Sequence, residues 1–272
     1  MPGKLPATLP QYRAGVDAPV IPGAEAWSAA GDPAGLAGDP AGVLVVHGFT
    51  GTPATVSPVA EALAAAGFAV EAPRLPGHGT TIEDMIPTRF ADWSSALEAT
   101  YLELAARCSG VAVVGLSMGA TLTCWLSARH PEIAGIACIN PMVAPAEPAL
   151  LELIGLMVDA GETVSEGVGA DLADPDAREI AYDGSPLAPA RSLYEALELL
   201  QDDLSRITCP VLILTSTQDH VVHPDNSDHL AAHVTGPVER VRLERSYHVA
   251  TLDHDKDLVA ERVVAFAQRV TS

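Results

Sequence analysis

Two kinds of apolar pattern alternate along this chain. Short stretches that read as strands occur at Val43–Val46, Phe68–Ala72, Val111–Gly115, Ile133–Asn140, Val211–Ser216 and Val238–Leu243, with Val43–Val46 an unbroken apolar run. Between them lie longer stretches whose apolar residues recur every three to four positions. In Thr55–Ala66 these are Val59, Leu63 and Ala66, with Gly67 as a stop; in Trp93–Arg107 they are Leu97, Tyr101 and Leu104. Ala120–His130, Asp225–His233 and Leu258–Val270 read the same way. Continuous apolar runs suit strands buried on both faces, and the three-to-four spacing suits helices with one buried side. Strands alternating with helices predict a mostly parallel central sheet covered by helices on both faces.

The alternation fails twice. Residues 1–41 are rich in Pro, Gly and Ala and predict an irregular lead-in with one edge strand near Glu25–Ser28. Residues 141–205 offer no strand and two helical stretches, Ala149–Asp159 and Ser192–Leu204. The expected organisation is therefore a core of residues 42–140 and 206–272, interrupted by an inserted helical unit at 141–205. Ala149–Asp159 carries Leu150, Leu151, Leu153, Ile154, Leu156, Met157 and Val158, apolar nearly all round. Such a helix is expected to be covered on both sides, with Leu150, Ile154 and Met157 lining a substrate slot.

Composition narrows the functions. With 48% hydrophobic residues in 272, a sizeable core is expected rather than disorder. The 15 Lys and Arg against 35 Asp and Glu give a net charge of −20. That balance disfavours nucleic acid as a partner and docking on anionic lipid. No apolar run approaches the roughly 18 residues of a membrane-spanning helix, so no stable membrane anchoring is expected. The start MPGKLPATLPQYRAG has no apolar stretch after its Lys, and Cys108, Cys124, Cys138 and Cys209 show no paired spacing. A reduced, cytoplasmic protein is the expectation.

The candidate chemistry sits where strands end. Gly115-Leu116-Ser117-Met118-Gly119 joins a strand to a helix, the setting in which a serine hydroxyl is pushed out above a sheet. Glycines two before and two after leave room for the chain to fold back on itself. The Met118 N–H, at the start of the helix, can stabilise an oxyanion. His47-Gly48-Phe49-Thr50-Gly51 follows the first core strand, and the Phe49 N–H is the candidate second donor. His47 and His78 of Pro76-Gly77-His78-Gly79 read as loop braces. A serine needs a base, and the base an orienting acid. In the chain order Ser, acid, His, these are Asp219 after Val211–Ser216 and His248 after Val238–Leu243. His220 and His223 have a weak metal-ligand spacing, but Pro224 follows at once and no helix presents both on one face. Asp225 and Asp228 suit the first turn of the next helix. Neither a metal nor a cofactor is called for.

Taken together, HGFTG, PGHG, GLSMG, the Asp219 loop and Ser246-Tyr247-His248-Val249-Ala250-Thr251-Leu252-Asp253 resemble the α/β-hydrolase superfamily over about residues 42–270. Within it the chain is most similar to small bacterial carboxylesterases and monoacylglycerol lipases. The resemblance implies the α/β-hydrolase fold with a small helical cap insertion. It also implies a serine ester hydrolase acting on small neutral esters such as acyl glycerols through an acyl-enzyme. Residue by residue it implies Ser117, Asp219 and His248 as triad, with Phe49 and Met118 as oxyanion donors. Thioesterases, C–C bond hydrolases and lyases of this fold share the triad, and a non-catalytic receptor would keep only the pocket.

Overall fold

The computed structural model describes residues 18–32, 39–167 and 169–272. Most of the lead-in expected at 1–41 thus lies outside the described residues. Within it, β1 (Trp27–Ala30) is an edge strand, close to the position expected. The rest of the core follows in order: β2 (Gly42–Val46), α1 (Pro53–Ala65), β3 (Ala69–Ala72), α2 (Ile82–Met85), α3 (Phe90–Ala105), β4 (Val111–Leu116), α4 (Met118–Ser127) and β5 (Gly135–Ile139). After an insertion come β8 (Val211–Ser216), α7 (Asp225–His233), β9 (Val238–Leu243) and α8 (Lys256–Val270). The strands form one sheet in the order β1-β3-β2-β4-β5-β8-β9. β1 runs antiparallel to β3, and every other pairing is parallel.

The central strands β2, β4, β5 and β8 are buried along their whole length. Their alternate side chains feed two apolar cores, one on each face. Leu44, Val113, Ile136 and Ile213 join α3 and α4; Val43, Val114, Ala137 and Leu212 join α1 and α8. This two-sided cover explains why these strands read as unbroken apolar runs. Helix starts differ from the expected ones by a few residues, for local reasons. α1 begins at Pro53, where the missing N–H costs nothing. At the start of α3, Asp92 reaches back to the Arg89 N–H at 2.8 Å.

The insertion departs from expectation in two ways. It contains α5 (Pro148–Asp159), a two-stranded antiparallel pair of β6 (Val164–Glu166) and β7 (Gly184–Pro186), and α6 (Leu187–Leu200). The strands are three residues each and lack alternation, which is why no pattern announced them. Second, α5 is not covered on both sides. Ile154 is buried, but Leu153 is 54% and Leu156 62% exposed. The helix packs on α6, and a single neighbouring helix covers one side of it.

Candidate active site

Four loops at the carboxyl ends of the parallel strands converge on one rim, where ligands bind in open α/β sheets. The sharpest turn lies between β4 and α4. Ser117 has φ 56° and ψ −118°, a left-handed conformation that costs a residue with a Cβ. Its N–H donates to the Ile139 carbonyl at 3.0 Å, which pins the strained residue to β5. The flanking glycines are sterically required. A Cβ on Gly115 would collide with the Gly119 carbonyl, and one on Gly119 with the backbone of Val46 and His47.

Asp219 follows β8, and His248 lies on the loop between β9 and α8. His248 Nδ1 is 2.7 Å from Asp219 Oδ2. The second oxygen, Asp219 Oδ1, accepts the N–H groups of Val221 and Val222 at 2.9 and 2.8 Å. A carboxylate so occupied can only accept from the ring, so the imidazole proton belongs on Nδ1 and Nε2 is left with a lone pair. Ser117 and His248, each 7% exposed, line the same cavity of about 200 Å³. Ser117, Asp219 and His248 are therefore brought together from three distant stretches of chain.

Phe49 and Met118 also stand beside the serine. Met118 opens α4, so its N–H has no partner four residues back within the helix. Phe49 lines the cavity, and at Gly48 an added Cβ would lie 3.5 Å from Ser117 Cβ, so this loop passes directly against the serine. The loop is braced from behind, as read for His47. His47 Nδ1 bonds the Gly48 carbonyl at 2.9 Å, and Nε2 accepts the Leu75 N–H at 3.2 Å. His78 Nδ1 bonds the Pro76 carbonyl, and its ring packs against those of His47 and Trp93. Burial lowers the pKa of His47 to about 4, with the nearby charge of Arg74 acting in the same direction and the bond to Gly48 opposing. His78 is lowered too, first by burial and then by His47. Both rings are neutral braces.

The cavity wall differs from the one expected. Leu150, Ile154 and Met157 of α5 do not line it. Its apolar side comes from Met142, Leu193 and Tyr194, and from Val221 and Val222 after Asp219. The stretch 167–185, which carries little apolar pattern, supplies the remainder, including Asp171, Glu179 and Tyr182. The slot is built beside α6 and the β6–β7 pair, whereas α5 lies on the far side of α6 from the sheet's chemistry and keeps its leucines in solvent.

Sequence reasoning also missed polar residues that hold the site together. Asn140, at the end of β5 with φ 43°, donates from Nδ2 to the His248 carbonyl at 2.7 Å and accepts the Ser216 N–H at 2.7 Å. An Asn at a strand end with room for positive φ was the available signal. Glu179 lies against the loop 47–51 at Gly51, and Thr55 Oγ1 in the first turn of α1 donates to it at 3.3 Å. Burial raises its pKa, while the charge of His248 and the Thr55 bond pull it down. His220 and His223 do not converge: His220 Nδ1 meets Asp171 at 2.8 Å, and His223 faces Asp225. Among the described residues no group of His, Cys, Asp or Glu could hold a metal ion. None of the described helices is long and apolar enough to cross a membrane.

The model of an alpha/beta hydrolase family matches residues 43–262. A thermostable monoacylglycerol lipase of Bacillus sp. (strain H-257) is 44% identical over 91% of this chain and 96% of its own length. A carboxylesterase of Bacillus subtilis (strain 168) is 26% identical over 84% of this chain and 92% of its own. A solved structure from work on the metagenome-derived lipolytic enzymes LipS and LipT is 38% identical. It superposes with a TM-score of 0.85 over 92% of this chain and 100% of that one.

Proposed function

The chain belongs to the alpha/beta hydrolase family, and we propose that Ser117, His248 and Asp219 form the triad of its ester hydrolysis. The chain is a serine-dependent hydrolase of carboxylic esters. The observation that carries the assignment of roles is the pairing of a strained, positive-φ Ser117 with an Asp219-anchored imidazole in one cavity.

The chemistry follows from that geometry. His248, with its proton on Nδ1, takes the Ser117 proton at Nε2 as the serine oxygen attacks the ester carbonyl. Asp219 keeps this tautomer and stabilises the imidazolium that forms. The N–H groups of Phe49 and Met118 hold the tetrahedral oxyanion, and donors of this kind contribute several kcal/mol each. His248 then protonates the leaving alcohol. Water activated by the same ring releases the acid from the acyl-enzyme.

The substrate is an acyl glycerol of one chain. The apolar wall of Met142, Leu193 and Val222 suits an acyl chain, and Glu179 beside the oxyanion loop offers an acceptor to alcohol hydroxyls. The insertion at 141–205 acts as the cap that completes this slot. Two measurements test the reading. A fluorophosphonate should label wild-type protein once per chain, and Ser117→Ala should take no label and lose ester turnover by about 10⁴-fold or more. Residual turnover above about 1% would mean another nucleophile. Comparing kcat/KM for monoacylglycerols with that for the methyl esters of the same acids tests the alcohol side. Equal values would remove glycerol from the assignment.

A further inference from the structure

The stretch 170–174 of the insertion is held to the triad loops by two carboxylates that point in opposite directions. Asp171 reaches out of the insertion. Its Oδ2 accepts the backbone N–H of His248 at 3.0 Å and that of His220 at 3.1 Å. Its Oδ1 is 2.8 Å from His220 Nδ1, and its carbonyl accepts the Val249 N–H at 3.2 Å. Asp253, on the loop after His248, reaches back. Its oxygens accept the N–H groups of Ala173 and Asp174 in the insertion at 2.8 and 2.9 Å, and those of Tyr247 and His254 at 2.9 and 2.7 Å.

His248 is thus fixed at separate points. Its ring is held by Asp219, its carbonyl by Asn140, and its N–H by Asp171. The third partner belongs to the insertion, and it also grips the residue next to Asp219. We propose that Asp171 is a positioning residue for the triad, setting acid and base in register from the insertion, so that alignment depends on 170–174 being docked. This rests on the Ser117–His248–Asp219 assignment. Without Asp171 the two loops keep their strands, the His248–Asp219 bond and the His220–Tyr247 ring contact, but lose the acceptor that holds the His248 and His220 N–H groups together. A displacement of about 1 Å in a reacting group can cost on the order of a hundredfold in rate.

The test separates geometry from charge. Asp171→Ala removes the acceptor, and kcat on p-nitrophenyl butyrate should fall about ten- to a hundredfold. KM should change by less than about threefold, because the loss is in the transition state. Asp171→Asn should recover most of that rate. Its amide oxygen can accept both backbone N–H groups while the amide N–H₂ faces His220 in its other tautomer. Asp171→Glu keeps the charge but shifts the oxygens by a methylene, and it should stay slow. If the Ala variant does not fold, the Glu and Asn pair decides. Proton NMR adds a signature that mere stabilisation would not move: the downfield signal of the His248 Nδ1 proton should shift or broaden in the slow variants. A folded Ala or Glu variant with wild-type kcat and an unmoved signal overturns the proposal, as does a loss confined to KM. Fluorophosphonate labelling keeps the two readings apart. Unlabelled wild-type protein refutes the triad, whereas labelling equally fast in wild type and the Ala variant refutes the role of Asp171 alone.

Discussion

The sheet and the insertion are built on opposite terms. β2, β4, β5 and β8 bury every residue they contain, and the turns at their ends have no freedom left, as Gly115, Ser117 and Gly119 show. The insertion leaves Leu153, Leu156 and Leu199 in solvent, and its stretch 170–174 is tied to the His248 loop by backbone N–H groups meeting carboxylates. Apolar packing fixes where Ser117, Asp219 and His248 emerge. The insertion is seated by the apolar face of α6, with Leu193 and Leu200 in the core, and its stretch 170–174 is fixed by polar contacts. The contrast teaches that substitutions have no room below the rim, whereas the outer face of the insertion leaves its side chains free to change.

The contrast can be broken by substitution. Gly119→Ala should have the largest effect, because its Cβ meets main chain that cannot move. Overpacking that side chains can absorb costs about 1–3 kcal/mol, but here main chain would have to move, so the fold itself should fail and soluble yield and ester turnover should both collapse. Leu214→Ala, in the buried centre of β8, should lower the urea-derived stability by about 2–5 kcal/mol. Leu156→Lys, on the exposed side of α5, should change it by about 0.5 kcal/mol or less. Equal costs for the two leucines would erase the difference between the regions.

Acid should sharpen the same contrast. His47 is held neutral down to about pH 4, whereas in the unfolded chain it protonates near the ordinary value of 6.5. Between those values the unfolded state binds more protons, so stability is full above 6.5 and falls as pH drops towards 4. A shift of that size corresponds to about 3 kcal/mol. His78 acts in the same direction. Burial alone would raise Asp253, but its backbone N–H donors from Ala173, Tyr247, His254 and Asp174 outweigh this and hold it below the usual carboxylate value. Its contribution is present above the unfolded carboxylate range and is lost only below it. Urea midpoints from pH 7 to 4 should therefore decline first through the histidines. A flat profile over that window would contradict buried neutral rings at His47 and His78.

How much was legible in the sequence divides along the same line. The central strands were readable because burial on both faces leaves only apolar residues, and β8 and β9 were found at their observed bounds. The Ser117 turn was readable because its steric demands select glycine at fixed offsets. The apolar pattern of α5 pointed to the wall of the cavity beside Ser117, whose lining does not include Leu150, Ile154 or Met157: hydrophobicity says that a residue can be buried, not against what. Asp171 and Glu179 left no trace because their partners are main-chain groups, a ring or a hydroxyl far away in sequence, and Asp253 appeared only as the end of the His248 motif, with no sign of its bonds to Ala173 and Asp174. Any backbone offers such N–H groups, so no residue type marks them.

The place where the insertion joins the sheet has a consequence for how such enzymes diversify. It leaves from the end of β5 and returns at β8, and these strands are paired neighbours in the sheet. Because the two strands run parallel, the segment leaves one end of the sheet and returns at the other, so a replacement must keep the crossover, whereas added length changes the cost of closing the chain only logarithmically. The part of the cavity wall that the insertion supplies can then be exchanged as a unit without redesigning the sheet. A working graft would need one thing besides the right length: an acceptor delivered to the His248 N–H where Asp171 now stands.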